Sequence, residues 1–149
     1  MTPITSLQNP TIKLIRSLSE RKERRERGLF VAEGLAMLER ALALDWKPDF
    51  LLATKPPMLW DDVKPLIVSD KVMAELSAQN NPHEVLAVFR TRYERGVEPS
   101  GTWLALEDIR DPGNLGTILR TAEAAGASGI LLAGECCDPY SPESVRAST

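Results

Sequence analysis

Residues 107–126 read Glu-Asp-Ile-Arg-Asp-Pro-Gly-Asn-Leu-Gly-Thr-Ile-Leu-Arg-Thr-Ala-Glu-Ala-Ala-Gly, and this stretch decides the fold of the second half of the chain. The apolar run Trp103–Glu107 predicts a strand, and the turn Asp111–Asn114 leads into a predicted helix over Leu115–Ala125. Ile130–Ala133 predicts the next strand. A β-α-β unit of this kind crosses over right-handed into a parallel sheet, and such sheets bind ligands beyond the carboxyl ends of their strands.

Two polar side chains in this stretch are candidates for binding a ligand. Asn114 either caps the helix or presents its amide to a ligand, and the residues alone leave both interpretations open. Arg120 follows less than two helical turns later, on an otherwise apolar, alanine-rich helix. Its guanidinium suits a phosphate or a developing oxyanion, although a surface arginine extending into water fits the same pattern.

Composition indicates a soluble globular protein. The chain has 149 residues, of which 43% are hydrophobic and 26% charged, and no apolar run approaches the roughly 20 residues that span a bilayer. Because the start lacks the layout of a signal peptide, we expect a cytoplasmic protein without a membrane segment. The adjacent Cys136 and Cys137 match no zinc spacing, so we expect reduced thiols and no metal site.

Short apolar strands alternate with helices in the first half, which favours an α/β architecture. Asn9 and Pro10 predict the cap and first residue of a helix whose pattern turns wholly polar after Ser19 and stops at Gly28. A second helix is predicted over Gly34–Leu44, with Leu35, Leu38 and Leu42 on one side. The remaining predicted elements are strands at Leu29–Ala32, Phe50–Ala53, Leu66–Val68 and Val85–Phe89, and helices at Lys71–Ala78 and from Ser141–Pro142 onward.

Residues 96–101 hold two glycines and a proline without an apolar period, which is typical of a linker. We therefore predict a first domain over residues 1–95, the linker over 96–101 and a second domain over 102–149.

Charge is distributed unevenly along the chain. The net charge is −3, but the segment up to Arg27 carries seven basic and three acidic residues. This segment can follow a phosphate backbone, or it can be a solvated helix face on which the glutamates pair with their neighbours. The candidate RNA-binding residues are Lys13, Arg21, Lys22, Arg24 and Arg25.

Other chemistries have little support in the sequence. His83, the only histidine, lies beside a turn, so a Ser-His or Cys-His mechanism has a single candidate base. The chain has no Gly-x-Gly-x-x-Gly fingerprint and no P-loop lysine after Gly116. A nucleotide-binding α/β protein of another kind is therefore disfavoured.

Three stretches together resemble the SpoU-type (TrmH-like) RNA ribose methyltransferases of the SPOUT superfamily. Residues 6–13, the basic run and Phe30–Gly34 resemble the amino-terminal substrate-binding domain of that family. Asp111–Ala122 is similar to its first motif, and Asp138–Ser148 to the start of its second motif. The family transfers a methyl group from S-adenosylmethionine to a ribose 2′-hydroxyl of tRNA or rRNA. The resemblance therefore implies an RNA partner and this cofactor.

The resemblance also implies roles for individual residues. Asn114 and Arg120 fall on the first-motif positions nearest the substrate, with Arg120 on the presumed catalytic arginine, and Arg146 and Ser148 fall on second-motif positions. A guanidinium stays protonated and is a poor general base. The hypothesis for Arg120 is therefore phosphate binding and stabilisation of the developing alkoxide.

The sequence departs from the family pattern at its end, because it stops at Thr149, inside the second motif. The family's cofactor pocket is formed largely by a knotted carboxyl-terminal region with a glycine-rich loop and a third motif. The expected fold is a small α/β substrate-binding domain followed by the first β-α-β part of a SPOUT (α/β knot) domain, with residues 101–149 marginal alone. We expect a truncated methyltransferase that is inactive alone, or alternatively a non-catalytic RNA-binding module. Family homodimers also use the missing region, so the resemblance does not carry the dimer over to this chain.

Overall fold

The computed structural model describes residues 2–94 and 96–149 and divides into two compact units. The amino-terminal unit runs to Thr91, and the carboxyl-terminal unit runs from Arg92 to Thr149. Arg95, the last residue of the predicted first domain, lies outside the described residues, as does Met1. No helix within the described residues is both long and apolar enough to cross a bilayer.

Both units mix helices and strands, which confirms the expected α/β class. The described part of the amino-terminal unit contains α1 (Pro10–Ser17), α2 (Arg21–Arg27), β1 (Leu29–Glu33), α3 (Leu35–Ala43), β2 (Phe50–Ala53), β3 (Leu66–Ile67), α4 (Asp70–Leu76) and β4 (Val85–Arg90). The described part of the carboxyl-terminal unit contains β5 (Trp103–Glu107), α5 (Pro112–Ala124), β6 (Gly129–Ala133) and α6 (Pro142–Ala147).

The first helix begins as predicted, but the basic segment forms a helix of its own. The Asn9 side chain accepts a hydrogen bond from the Thr11 N–H at 2.9 Å, and Pro10 opens the helix. The expectation of one helix reaching Gly28 is wrong, because α1 ends at Ser17 and α2 starts only at Arg21. Gly28 does end α2, with a φ of 63° that a residue without a side chain adopts at little cost.

A four-stranded mixed sheet forms the centre of the amino-terminal unit, in the order β1-β4-β2-β3. Strand β4 lies antiparallel to both β1 and β2, whereas β2 and β3 are parallel. On one face, α1 and α4 supply apolar side chains that pack on Leu52, Leu86 and Val88 of the sheet. Since these residues are almost inaccessible to water, this layer is the main core of the unit.

The other face of this sheet carries an aromatic cluster. Phe30 and Phe89 face each other across β1 and β4, with ring centroids 5.7 Å apart, and Trp46 and Trp60 pack edge-on against them.

Helix α3 contributes less to burial than its sequence predicts. Of the predicted stripe, only Leu38 is buried, while Leu35 and Leu42 are exposed. The helical spacing of the three leucines therefore identified a buried position of α3 at Leu38 alone.

The carboxyl-terminal unit is the predicted β-α-β unit followed by one short helix. Strands β5 and β6 are parallel and in register from Trp103 opposite Gly129 to Glu107 opposite Ala133. The Ser141 hydroxyl caps α6 by accepting from the Ser144 N–H, which confirms the predicted start of that helix. Neither strand contains a fully buried residue.

Candidate functional site

Helix α5 begins at Pro112, three residues earlier than predicted, so Asn114 lies within the first turn of the helix and not before it. The Asp111 carboxylate accepts a hydrogen bond from the Asn114 N–H at 2.7 Å, and Pro112 opens the helix. The interpretation of Asn114 as the cap is therefore wrong. The reason is that Asp111-Pro112 repeats the cap-then-proline arrangement of Asn9-Pro10, which satisfies the first turn without the Asn114 side chain.

The side chain of Asn114 is consequently available at the start of the helix. The residue is exposed, and its amide forms no hydrogen bond within the described residues. Its own backbone N–H is used by the cap, so the group that faces solvent is a neutral amide able to donate and to accept.

Arg120 lies on the same helix with its guanidinium in solvent. Its Nη1 is 3.4 Å from an oxygen of Thr149, the last residue of the chain, and no Asp or Glu side chain forms an ion pair with it among the residues that the structure describes. An exposed guanidinium without a neutralising partner retains its full charge for an anionic ligand.

Helix α6 brings the second-motif residues against α5. Arg146 is exposed, whereas the Ser148 hydroxyl is turned inward and donates to the Val145 carbonyl at 2.7 Å. The structure therefore brings Arg120 together with the end of α6. Ser148, in contrast, is engaged with the last turn of its own helix.

The loops that follow β5 and β6 are tied to each other. Asp108 adopts a positive φ of 54°, and its carboxylate accepts a hydrogen bond from the Glu135 N–H at 2.7 Å. Arg110 and Glu135 form an exposed ion pair at 3.0 Å. The strain at Asp108 is offset by this bond, which fixes the carboxyl edge of the two-stranded sheet.

Tyr140 fastens the segment that precedes β5. Its phenol oxygen accepts a hydrogen bond from the Arg92 N–H at 2.9 Å and donates to the Arg92 carbonyl, while the ring packs edge-on against Tyr93. Burial raises the pKa of the Tyr140 phenol above its ordinary value.

Most of the predicted RNA-binding residues are exposed on α1 and α2. Lys13, Arg21, Lys22 and Arg25 all point to solvent. The interleaved glutamates do pair with some neighbours, since Lys22 lies 3.8 Å from Glu26. An exposed pair of this kind is worth little and exchanges readily with a phosphate.

Arg24 is an exception, because it is buried, and the prediction that it contacts RNA is therefore wrong. It is only 4% exposed, and its Nη1 donates to the carbonyl oxygens of Leu18 at 2.9 Å and Ser19 at 2.7 Å. These carbonyls are left over by the break between α1 and α2, so Arg24 satisfies the end of one helix from the next. Its side chain belongs to the fold rather than to a binding surface.

Among the described residues of the carboxyl-terminal unit, no buried side-chain nitrogen or oxygen lacks a hydrogen-bond partner. Nor do the described residues contain a cluster of potential metal ligands. His83 lies in the other unit, where its ring packs against the backbone of Gly34.

Sequence reasoning missed three positions that shape the carboxyl-terminal unit. Ser144 is fully buried, Tyr140 bonds to the backbone of Arg92, and Gly116 lies against α6. The available signal was the pair of serines in Ser141-Pro-Glu-Ser144, which predicts a cap but not the burial of its second hydroxyl.

Two family models match the chain in succession. Residues 9–87 match the MRM3-like substrate binding domain, and residues 101–149 match the SpoU rRNA Methylase family.

Individual relatives extend over nearly the whole chain. A tRNA/rRNA methyltransferase of Synechocystis is 40% identical over 97% of this chain and 57% of its own length. The 23S rRNA (guanosine(2553)-2′-O)-methyltransferase of Bacillus subtilis is 26% identical over 99% of this chain and 61% of its own length. An rRNA methyltransferase from Sinorhizobium meliloti, solved with bound AdoMet, superimposes with a TM-score of 0.88 at 43% identity, over 99% of this chain and 60% of that one. The chain thus spans about three fifths of the length of these relatives.

Proposed function

This chain belongs to the SpoU family of RNA methyltransferases and carries its MRM3-like substrate-binding domain, and on this premise we propose that it supplies the RNA-binding and ribose-side part of an S-adenosylmethionine-dependent RNA 2′-O-methyltransferase. The RNA is rRNA or tRNA. The amino-terminal unit binds the RNA, and the first-motif helix α5 presents Asn114 and Arg120 to the ribose and its phosphate.

The single observation that carries this proposal is the state of Arg120. Its guanidinium is exposed, forms no ion pair with an Asp or Glu side chain within the described residues, and lies 3.4 Å from an oxygen of Thr149, the last residue of the chain. Because the group stays protonated, it does not remove the proton of the 2′-hydroxyl. It binds the adjacent phosphate and stabilises negative charge on the attacking oxygen.

The RNA-binding part of the proposal rests on the exposed cations of α1 and α2. Lys13, Arg21, Lys22 and Arg25 contact phosphates, so RNA affinity decreases with rising salt concentration. In the other unit, Arg146 is an exposed cation of the second motif.

The test measures methyl transfer from labelled S-adenosylmethionine to rRNA transcripts by a chimera, in which residues 1–149 replace the matching three fifths of the Sinorhizobium meliloti rRNA methyltransferase. We expect Arg120→Lys to lower the rate by about 100-fold, because an ammonium keeps the charge but loses the planar fork that holds phosphate and oxyanion together. Arg110→Lys is the matched control, since Arg110 is also exposed on this unit and pairs with Glu135. A near-normal rate for Arg120→Lys would contradict the role of Arg120.

A non-catalytic RNA-binding module is the second candidate. The exposed cations of α1 and α2 favour it, because they can bind RNA phosphates whether or not a methyl donor is bound. Calorimetry with S-adenosylmethionine separates the two functions. Submillimolar binding supports the methyltransferase, whereas RNA binding without any binding of the methyl donor supports the module.

A further inference from the structure

Helices α5 and α6 approach each other most closely at Gly116. A Cβ atom built on this glycine would lie 2.4 Å from the Ser144 carbonyl oxygen and 2.6 Å from the Ala147 Cβ. Both distances are shorter than real contacts of a methyl group, and the first partner is backbone, which cannot rotate away. The absence of a side chain at position 116 therefore lets the two helices touch backbone to backbone.

A buried hydrogen-bond chain fixes the same contact along the helix axis. Ser144 is fully inaccessible to water, and its hydroxyl donates to the Pro112 carbonyl at 3.0 Å. It also accepts from the Ser141 hydroxyl at 3.0 Å. Since a buried polar group keeps its partners, sliding α6 along α5 would leave the Ser144 hydroxyl unpaired.

The position of Arg120 relative to the end of α6 depends on this contact. Arg120 follows Gly116 by four residues, about 6 Å along the helix. Thr149, the last residue of the chain, follows Ala147 by two residues, and the 3.4 Å between Arg120 Nη1 and the Thr149 oxygen is already at the long end of the hydrogen-bond range. A shift of α6 by a fraction of an ångström is enough to break it.

We propose that Gly116 and Ser144 are positioning residues that lock the second-motif helix in one register on the first-motif helix and thereby hold the Arg120 guanidinium in the orientation that receives an RNA phosphate. The role of the phosphate rests on the proposed function, whereas the lock itself does not. Gly116 and Ser144 touch neither RNA nor the reacting atoms.

The first arm of the test follows the Arg120 side chain by NMR, without RNA. At a pH low enough to slow exchange with water, the Arg120 Nε–H should give a distinct signal in the unchanged protein, and Gly116→Ala and Ser144→Ala should each shift it. Gly113→Ala is the matched control, because a Cβ on that glycine of the same helix meets only the Asp111 carboxylate, at 3.3 Å. Should Gly116→Ala unfold the unit, Ser144→Ala decides. An unchanged Arg120 signal in a folded Ser144→Ala protein overturns the proposal.

The second arm measures coupling in RNA affinity, with a fluorescein-labelled RNA hairpin as the probe. Arg120→Lys and Ser144→Ala should each weaken binding by about threefold, and the double variant should lose no more than Arg120→Lys alone, because both changes remove the same phosphate contact. Fully additive losses would overturn the proposal. If Arg120→Lys leaves RNA affinity unchanged, the proposed phosphate contact fails, and the NMR arm still decides whether the lock exists.

Discussion

Strand β4 of the amino-terminal unit and strand β6 of the carboxyl-terminal unit are both apolar in sequence, but their surroundings are very different. Strand β4, with Val85–Phe89, is buried at every one of these positions, because helices cover one face of the sheet and the aromatic cluster covers the other. Strand β6, equally apolar over Ile130–Ala133, has no buried residue, and Leu131 and Leu132 are 42% and 37% exposed. Apolar sequence alone therefore does not make a core. Parallel strands need a layer on each face, and in the carboxyl-terminal unit α5 and α6 provide only part of that cover.

Hydrogen exchange should give the largest difference between the two units. The amides of Leu86–Val88 should exchange at least about 100-fold more slowly than those of Ile130–Leu132, since exchange in the core requires opening of the whole unit. Mass spectrometry of exchanged peptides, or residue-resolved NMR, measures both in one sample. Equal protection in the two strands would show that the carboxyl-terminal unit is as stable as the other.

Matched leucine truncations probe the same difference through stability. Leu52→Ala, at a fully buried position of β2, should lower the free energy of unfolding of its unit by about 3 kcal/mol through lost burial and the cavity left behind. Leu132→Ala should cost less than about 1 kcal/mol, because that side chain is already partly in water. Urea titrations followed by circular dichroism give both values. Similar costs would mean that β6 is covered in solution.

A pair of neighbouring arginines sharpens the comparison within the amino-terminal unit. Arg24→Met should lower stability by about 2 kcal/mol, because the carbonyls of Leu18 and Ser19 lose their buried donor. Arg25→Met removes an exposed cation of the same helix, and we expect it to leave stability within about 0.5 kcal/mol while weakening RNA binding. Thermal melts and RNA titrations on both variants measure these effects. A loss of stability in Arg25→Met, with weaker RNA binding only in Arg24→Met, would contradict the assignment.

The smallest expected effect on stability comes from the hydrogen bonds between the Tyr140 hydroxyl and the backbone of Arg92. Tyr140→Phe should cost about 1 kcal/mol, because it removes the hydroxyl that bonds to both backbone groups of Arg92.

The pH dependence of this contribution has a defined sign. Burial raises the pKa of the Tyr140 phenol from its ordinary value of 10.0, so folding favours the protonated form. The stabilisation is complete below pH 10 and is lost as the pH rises through the raised pKa. Urea titrations between pH 8 and about 11 should show this loss in the unchanged protein and not in Tyr140→Phe. If both proteins lost the same stability as the pH rises, groups other than Tyr140 would be responsible for the loss.

Local signals in the sequence were sufficient to predict much of this fold. The caps Asn9 and Ser141, each followed by proline, and the glycine that ends α2 were predicted correctly because the hydrogen bonds involved lie within a few residues. The same local pattern existed at Asp111-Pro112, but Asn114 offered a second plausible cap, and only the structure distinguished the two.

Positions that depend on contacts between elements were not predictable in this way. The burial of Arg24 follows from a break between two helices that the polar pattern does not reveal. Ser144 and Gly116 depend on how α6 crosses α5, and the exposure of β6 depends on layers that no periodicity within the strand encodes. The candidate site was therefore predicted at the level of its residues, through resemblance, while the contacts that orient Arg120 were not.

Each unit contains tryptophan residues of its own, so the fluorescence of the two units can be separated. Trp46 and Trp60 pack against Phe89 in the amino-terminal unit, whereas Trp103, the only other tryptophan, lies in the carboxyl-terminal unit and donates its indole N–H to the Ser100 carbonyl at 3.0 Å. Indole emission moves to shorter wavelength in apolar surroundings. Removing Trp103 by substitution with phenylalanine therefore leaves a fluorescence signal that reports on one unit alone, and the difference spectrum reports on the other.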